Sequence, residues 1–401
     1  MSHICMISNQ YPPYFQGGDA IACQNLSEGL VRKGYRVSVI IEPFSYWLLS
    51  PFNRTFPKQK YNLNNIEIHS INNSFLNFVY SYLGLSLRNS FFKKKLQKIN
   101  PDIIHFHNFS AFGYNAILSA YEMKKPLILT LHDLWLICPQ RKINFSTCNR
   151  KCNICALQNF NFPRIQKSQY LKYFDEIICP SKYIYKIFKK RFPLLNYSIL
   201  PFGQSIKKNN PDIYSKQKFL SKYNLKNKCI GLFVGVLQER KGIFDIFKAL
   251  PSIDDNICII FIGEDLININ NIIKRNPILK NKIIYLGKVD EYSKSIVYSI
   301  ADFFLLPSHW ENFPITIFEA MSYGLPIIST RVGGIPEIIN ENGIIIEPYD
   351  IKQLIISINE ISQNSEKRNM MSKRSLDLIK KRYSFEKYIN NQIELLEKIT
   401  K

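Results

Sequence analysis

Short apolar segments alternate with segments of helical periodicity along almost the whole chain, and this alternation most strongly restricts the fold. The apolar segments are continuous runs rich in β-branched and aromatic residues, which is typical of strands buried on both faces of a parallel sheet. The sequence therefore predicts an α/β fold with parallel sheets. The predicted strands are 4–8, 36–41, 102–106, 127–131 and 176–180 in the first half, and 229–235, 258–263, 283–287, 302–307, 326–330 and 343–347 in the second.

The two series of strands indicate two domains. A chain of 401 residues is longer than one hydrophobic core usually organises. Polar and turn-forming residues interrupt the periodicity around residues 200–218. We therefore predict two Rossmann-like domains, at 1–206 and 207–382, which face each other across a cleft. A single apolar stripe predicts a further helix over residues 383–401.

Positive charge is concentrated in the first half of the chain. Residues 1–206 contain 25 Lys and Arg against 9 Asp and Glu, whereas residues 207–401 contain 28 against 22. This asymmetry predicts an anionic partner for the first half, either a membrane surface, a phosphorylated substrate or a nucleic acid. We do not expect a nucleic acid, because no recognised reading module or interleaving of aromatic and basic residues accompanies the charge.

The segment 87–101 has the strongest concentration of this charge. It combines Phe91, Phe92 and Leu96 with four lysines, which fits a helix lying in a membrane interface. An ordinary surface helix with a solvated basic face has the same pattern. Both interpretations stay open at this point.

The chemical state of the cysteines depends on the compartment in which the protein resides. The first 15 residues lack the features of a signal peptide, and no apolar run reaches the roughly 18 residues of a membrane span. We therefore expect a cytoplasmic protein, in which cysteines are thiols or metal ligands. Four of them lie within 18 residues and suit a structural zinc site, but free thiols, a redox-sensitive pair or another metal fit as well. They are Cys138, Cys148, Cys152 and Cys155.

Polar residues and glycines follow six of the predicted strands. Because ligands bind outside the carboxyl ends of parallel strands, these loops predict a ligand site that uses both domains. Of the histidines among them, His132 is expected to be functional, whereas His105 and His107 fit a structural role equally well. The six loops contain Gly17-Gly18, His105 and His107, His132-Asp133, Arg240-Lys241-Gly242, Gly263-Glu264 and Glu311.

Two of these loops favour an anionic ligand. Gly17-Gly18 precedes a predicted helix and presents N–H donors there, although a plain turn has the same sequence. Arg240 and Lys241 open another helix, where cations oppose the helix dipole unless an anion lies between. A diphosphate would make this arrangement stable, and a solvent-facing basic turn is the alternative.

Glu311 and Glu319 lie eight positions apart in the apolar segment LPSHWENFPITIFEAMSYG (306–324). A buried carboxylate is costly unless it is hydrogen-bonded or paired. Each therefore needs a partner. The simplest partners are the helix dipole for Glu311 and a lysine for Glu319, and a bound ligand is the alternative.

The second half contains the segments FVGVLQERKGIFDIFKAL, FIGEDL and YLGKV, followed by the apolar and acidic residues 301–350. In these segments it resembles the second domain of the retaining glycosyltransferases of family 4, which have the GT-B fold. The first half is similar through YPPYFQGGDA, PDIIHFHN, LTLHDLW and CPSKYIYKIFKKRF. The resemblance implies transfer of a sugar from a nucleotide-diphosphate donor, with retention of anomeric configuration and no essential metal.

The resemblance also implies roles for individual residues. Glu311 would contact hydroxyls of the donor sugar, and Glu319 would accept hydrogen bonds from the nucleotide ribose. Arg240 and Lys241 would stabilise the departing diphosphate, and His132 would lie beside the donor sugar. The donor would also contact Gly17 and Gly18. It would further contact Asn312, Phe313 and Pro314, where the helix that carries Glu319 begins.

Three further points follow from the resemblance. The helix over 383–401 would return to the first domain. Val236 replaces an arginine that is common in relatives, and the turn at 200–206 also differs from theirs. The expected function is that of a glycosyltransferase in bacterial surface polysaccharide synthesis. Its expected acceptor is a lipid-linked glycan, which the enzyme reaches from the inner face of the membrane. A soluble acceptor and a non-catalytic nucleotide-binding relative are the alternatives.

Overall fold

The computed structural model describes residues 2–15, 17–42, 46, 60–71, 90–138, 167–206 and 211–400. It divides into two compact units. Unit 1 comprises Met1–Pro201 and Ile389–Lys401, and unit 2 comprises Phe202–Tyr388. The division at Pro201 falls within the stretch where the sequence periodicity is interrupted.

Unit 1 is built on a mainly parallel sheet, in which the described residues form eight strands in the order β3-β4-β2-β1-β5-β6-β7-β8. Only the pairing of β3 with β4 is antiparallel among these strands. The strands are β1 (His3–Ser8), β2 (Arg36–Ile41), β3 (Lys60–Leu63), β4 (Ile66–Ser70), β5 (Ile103–Asn108), β6 (Leu127–Thr130), β7 (Glu176–Cys179) and β8 (Tyr197–Ile199).

The central strands of unit 1 were predicted because their residues are buried on both faces. All six residues of β1 are buried, and Ile4 pairs with both Val37 and Ile103 in parallel register. The edge strands β3 and β8 were not predicted, nor was β4, which lies between β3 and β2. The strand β3 alternates exposed and half-buried residues, and β8 has only three residues, so neither contains a continuous apolar run.

Helices cover the sheet of unit 1. The helix α1 begins directly after Gly17, whose φ of 103° is unfavourable for other residues, and buries Ala20, Cys23, Leu26 and Leu30. The described helices of unit 1 are α1 (Gly18–Arg32), α2 (Ser90–Ile99), α3 (Asn115–Tyr121) and α4 (Lys182–Arg191), with a 3₁₀ segment at Lys167–Tyr173.

The helix α2 lies in the segment that the sequence analysis considered as interfacial. Phe92 and Leu96 are fully buried, whereas Phe91 is 60% exposed. Lys93 pairs with Glu122, which lies just after α3. Two of the four apolar side chains of α2 therefore pack in the core and a third, Ile99, is half-buried, as in an ordinary amphipathic surface helix.

Unit 2 is built on a six-stranded sheet that is parallel throughout, in the order β11-β10-β9-β12-β13-β14. All six strands were predicted. They are β9 (Cys229–Val234), β10 (Ile257–Ile262), β11 (Ile283–Tyr285), β12 (Phe303–Leu306), β13 (Ile327–Thr330) and β14 (Gly343–Ile346). The two units thus confirm the prediction of two Rossmann-like domains and the GT-B fold class.

The helices of unit 2 connect these strands. They are α5 (Ile213–Lys222), α6 (Ile243–Ala249), α7 (Ile269–Arg275), α8 (Pro277–Lys282), α9 (Glu291–Ile300), α10 (Ile315–Ser322), α11 (Ile335–Ile338), α12 (Ile351–Gln363) and α13 (Ser365–Lys381). The last helix, α14 (Phe385–Thr400), contains the second boundary, and its residues from Ile389 onwards group with unit 1. Within the described ranges, no helix combines the length and apolar character needed to cross a bilayer.

Candidate active site

Two loops of unit 2 meet because their strands, β9 and β12, are neighbours in the sheet. The first loop contains Arg240 and Lys241 in a 3₁₀ turn, and the second follows β12. Gly242 has a φ of 73°, and a Cβ at this position would lie 2.0 Å from the carbonyl oxygen of Pro307. The backbone N–H of His309 donates to the carbonyl of Arg240 at 2.8 Å. These contacts fix the two loops against each other.

Lys241 and Glu311 form an ion pair across these two loops. Their side chains are 14% and 8% exposed, and the Ser308 hydroxyl also donates to Glu311 at 3.1 Å. Burial lowers the pKa of Lys241, and the Glu311 carboxylate acts in the opposite direction. The carboxylate is thus partnered by a cation and a hydroxyl that the sequence analysis did not identify.

Arg240 lies beside this pair in the chain and is half-buried. Its guanidinium carbon lies 5.8 Å from the ring centroid of Trp310, within the range of a cation–π contact. The arginine and Lys241 place two positive charges in one turn. Such a turn can hold an anion such as a diphosphate.

The residues directly before α10 have buried side chains, so it is mainly their backbone that a ligand could contact. Asn312 and Phe313 are both 5% exposed, and the Phe313 ring packs 5.1 Å from that of Phe318. The N–H of Gly334 donates to the carbonyl of Asn312 at 2.6 Å. Pro314 is the N-cap of α10, without a side-chain cap bond. Any ligand contact here would therefore use N–H groups at the start of α10.

Glu319 lies on α10 and is held by α9. The Tyr298 hydroxyl donates to Oε2 at 2.9 Å, and Lys294 Nζ lies 3.5 Å from Oε1. Burial lowers the pKa of Lys294, but the carboxylates of Glu319 and Glu291 outweigh it and leave that pKa raised. The lysine partner was one of the two alternatives in the sequence analysis, whereas Tyr298 was not foreseen.

A second buried polar pair supports the loop after β12. His309 Nε2 lies 2.6 Å from Asp245 Oδ2, and both side chains are less than 10% exposed. The Tyr349 ring lies 3.8 Å from the imidazole, between centroids. This pair was not predicted from the sequence, where the one visible signal is a histidine two positions before Glu311.

In unit 1, three histidines form a stack at the carboxyl ends of β5 and β6. The ring centroids of His105 and His107 are 4.5 Å apart, and those of His107 and His132 are 5.2 Å apart. His107 Nδ1 lies 3.0 Å from His132 Nε2, and His105 Nε2 lies 2.8 Å from the Thr130 hydroxyl. His132, predicted as functional, is therefore in direct contact with His107.

Burial keeps these rings neutral. It lowers the pKa of His105 to about 3 and holds the pKa of His107 well below its ordinary value. The pKa of His132 is also lowered by burial, while the carboxylates of Asp19 and Asp133 act in the opposite direction. Neutral rings can accept a hydrogen bond as well as donate one.

The turn at Gly17 and Gly18 is exposed and leads into this polar cluster through Asp19. Asn108 donates from its amide to Asp19 at 2.7 Å, and Asn9 donates to Asn108 at 2.8 Å. Asn9 follows β1, Asn108 is the last residue of β5, and Asp19 lies in the first turn of α1. None of the three was predicted as a site residue from the sequence. Short polar side chains at strand ends are too common to be selected by pattern alone.

The predicted zinc site falls largely outside the described residues, since Cys148, Cys152 and Cys155 all lie there. Cys138 is half-buried. In the part of the chain that the structure describes, no group of three or more His, Cys, Asp or Glu residues could hold a metal ion. The zinc site stays a prediction.

Two family models match the chain. Residues 16–201 match the model described as Glycosyltransferase Family 4, and residues 215–377 match the model described as Glycosyl transferases group 1. Between them the models cover both sheets except β1, and they leave out the two ends of the chain and residues 202–214.

Individual proteins agree with these models. An uncharacterised glycosyltransferase of Methanocaldococcus jannaschii is 25% identical over 94% of this chain and 96% of its own length. The O-antigen chain mannosyltransferase B of Escherichia coli is 28% identical over 39% of this chain and 43% of its own length. The structure of Anabaena HepE, solved in complex with UDP and glucose, superposes with a TM-score of 0.74 at 17% identity and covers 99% of this chain and all of its own.

Proposed function

This chain belongs to the glycosyltransferases of family 4 and group 1, and on that premise we propose that it transfers a sugar from a nucleotide-diphosphate donor to a glycan acceptor with retention. The observation that carries the proposal is the cluster of Arg240, Lys241 and Glu311 on loops fixed between adjacent strands. It places two cations beside the N-terminus of α10, an arrangement suited to a diphosphate.

The difficult event in such a transfer is loss of the nucleoside diphosphate from the anomeric carbon. Negative charge develops on the leaving oxygen, and preorganised cations lower the barrier. Arg240 and Lys241 take this role. Lys241 is already held by Glu311, so its ammonium needs little reorganisation at the moment of reaction.

The carboxylates bind the donor. Glu311 keeps one oxygen for Lys241 and Ser308 and offers its other oxygen to a sugar hydroxyl. Glu319 accepts hydrogen bonds from the ribose, and the N–H groups of residues 312–316 that are not blocked by proline face phosphate oxygens. Position 236 is a valine in this chain, where relatives commonly have an arginine. Arg240 therefore supplies the guanidinium group for the diphosphate.

In unit 1, the proposed ligand contacts are His132 and the Gly17-Gly18 turn. His132 is kept neutral by burial and offers a hydrogen bond to a sugar hydroxyl. The exposed N–H groups at the start of α1 suit an anion. No metal takes part in this scheme. A structural zinc held by Cys138, Cys148, Cys152 and Cys155 is a separate proposal.

We propose further that the acceptor is a lipid-linked glycan of a bacterial surface polysaccharide. The support is the similarity to an O-antigen mannosyltransferase and the excess of positive charge in residues 1–206. On α4, the exposed residues Lys182, Lys186, Lys190 and Arg191 are followed by Leu194, which is 95% exposed. A basic surface with an exposed leucine suits the anionic inner face of a membrane.

Transfer is tested with a panel of UDP-, GDP- and ADP-sugars, by measuring release of the nucleoside diphosphate and the anomeric configuration of the product by NMR. We expect turnover with one donor class and none in Glu311→Gln. Binding of a donor without turnover would favour the non-catalytic relative, and an inverted product would contradict retention.

Membrane association is tested by flotation with phosphatidylcholine vesicles, with and without phosphatidylglycerol. We expect flotation only with the anionic lipid at low salt, and a loss in the variant with Lys186, Lys190 and Arg191 changed to Gln. A wild-type protein that does not float with anionic vesicles would favour a soluble acceptor.

A further inference from the structure

Glu319 is held in one orientation by two side chains of α9. Tyr298 and Lys294 lie one helical turn apart on α9, so both side chains can face the same residue of a neighbouring helix. The tyrosine donates to one carboxylate oxygen at 2.9 Å, and the lysine lies 3.5 Å from the other. Each oxygen therefore has its own donor within the protein.

The tyrosine side of this arrangement is buried and rigid. Tyr298 is 1% exposed, and its ring stacks on that of Tyr323 with centroids 5.0 Å apart and planes within 7°. Burial raises the pKa of its hydroxyl well above the ordinary value, so it stays a donor at any physiological pH. The stacked ring leaves the hydroxyl a narrow range of positions.

We propose that Tyr298 and Lys294 are positioning residues that fix the Glu319 carboxylate for the nucleotide ribose. The inference rests on the proposed function, in which Glu319 binds the ribose hydroxyls. A carboxylate accepts about four hydrogen bonds, and these two donors occupy two, which leaves one on each oxygen for two neighbouring hydroxyls. The side chain of Glu319 is 15% exposed, so the remaining positions are accessible.

If Tyr298 had only a structural role, removal of its hydroxyl would affect ligand binding in a different way. A hydroxyl that only stabilises the packing of α9 on α10 would, when removed, weaken the unit for every ligand alike. A positioning role acts only through the two ribose hydroxyls. These hydrogen bonds are the same in the ground state and in the transition state, so their loss raises KM for the donor and leaves kcat unchanged.

The experiment measures binding by calorimetry with whichever of UDP, GDP and ADP binds the wild-type chain, and with its 2′,3′-dideoxy analogue. For Tyr298→Phe, we expect about tenfold weaker binding of the ribonucleotide, the usual size of one hydrogen bond to a charged group. Binding of the dideoxy analogue should change less than about twofold. Lys294→Met should show the same pattern.

Tyr323→Phe is the matched control, because it removes a hydroxyl from the same ring stack and should leave both affinities within about twofold. Equal losses for the two nucleotides in Tyr298→Phe, or no loss for either, would overturn the positioning role. The proposed function is tested separately by Glu319→Ala, which should bind both nucleotides with the same affinity. If Glu319→Ala still prefers the ribonucleotide as strongly as the wild type, the ribose is bound elsewhere.

Discussion

Replacing Lys241 by methionine should destabilise unit 2, since it leaves the buried Glu311 carboxylate without its cation. Both side chains of the pair are largely buried, and among the described residues the Ser308 hydroxyl is the one side-chain donor to Glu311 that remains. Removing one member of a buried ion pair costs about 3 to 5 kcal/mol. Because Ser308 stays in place, we expect the lower end, about 3 kcal/mol, which corresponds to about 6 to 12 °C in Tm for a unit of this size.

A double-mutant cycle with Glu311→Gln separates the pair from other effects of each substitution. The assay is urea unfolding of the parent chain, the two single variants and the double variant, all carrying Trp47→Phe and Trp135→Phe so that the fluorescence reports Trp310 in unit 2. The double variant should be more stable than the sum of the single losses predicts, by about 2 kcal/mol. Single losses that simply add to within about 0.5 kcal/mol would refute the claim that the two charges depend on each other.

Three other predictions follow from the same structure. Because burial lowers the pKa of His105 to about 3, the unfolded state binds a proton that the folded state does not between about pH 3 and 6.5. His105 should therefore lower the free energy of unfolding by about 1.4 kcal/mol for each pH unit of acidification within that window. Urea unfolding at pH 7.5 and 5.5 should show a smaller drop in His105→Gln, and an equal drop would contradict this. Gly242→Ala should destabilise unit 2 by more than about 1 kcal/mol in thermal unfolding, since its φ is positive and its Cβ would overlap the Pro307 carbonyl; an unchanged Tm would show that the loops are not fixed there. Lys241→Ala should lower kcat for sugar transfer more than it weakens donor binding, and equal losses would indicate ground-state attraction only.

The strands that build both sheets could be predicted because burial on both faces demands continuous apolar runs. The four inner strands of unit 2, β9, β10, β12 and β13, are of this kind, with almost wholly buried residues. The edge strands β11 and β14 are only partly buried, but they too are continuous apolar runs and were predicted. The strand β3 could not be predicted in this way, since it lies at a sheet edge and its side chains are partly exposed. Sequence patterns thus identify strands that contain a continuous apolar run, and they miss strands interrupted by polar residues, such as β3 and β4.

The candidate site was predictable in its residue types and not in its contacts. Glycines, cations and carboxylates after parallel strands indicate a ligand at the carboxyl edge. The partners of Glu319 lie 21 and 25 positions away on α9, and no sequence spacing relates residues on two helices that meet only after folding. The pair of Asp245 and His309 is separated by 64 positions for the same reason.

The most direct test of the account is calorimetric titration of the wild-type chain with UDP, GDP and ADP, compared with Glu319→Ala and with Glu366→Ala, an exposed carboxylate of α13. We expect one nucleotide to bind the wild type and Glu366→Ala alike, and to bind Glu319→Ala at least about tenfold more weakly. Failure of all three nucleotides to bind the wild type, or equal binding by the Glu319 variant, would contradict a nucleotide-sugar site in unit 2.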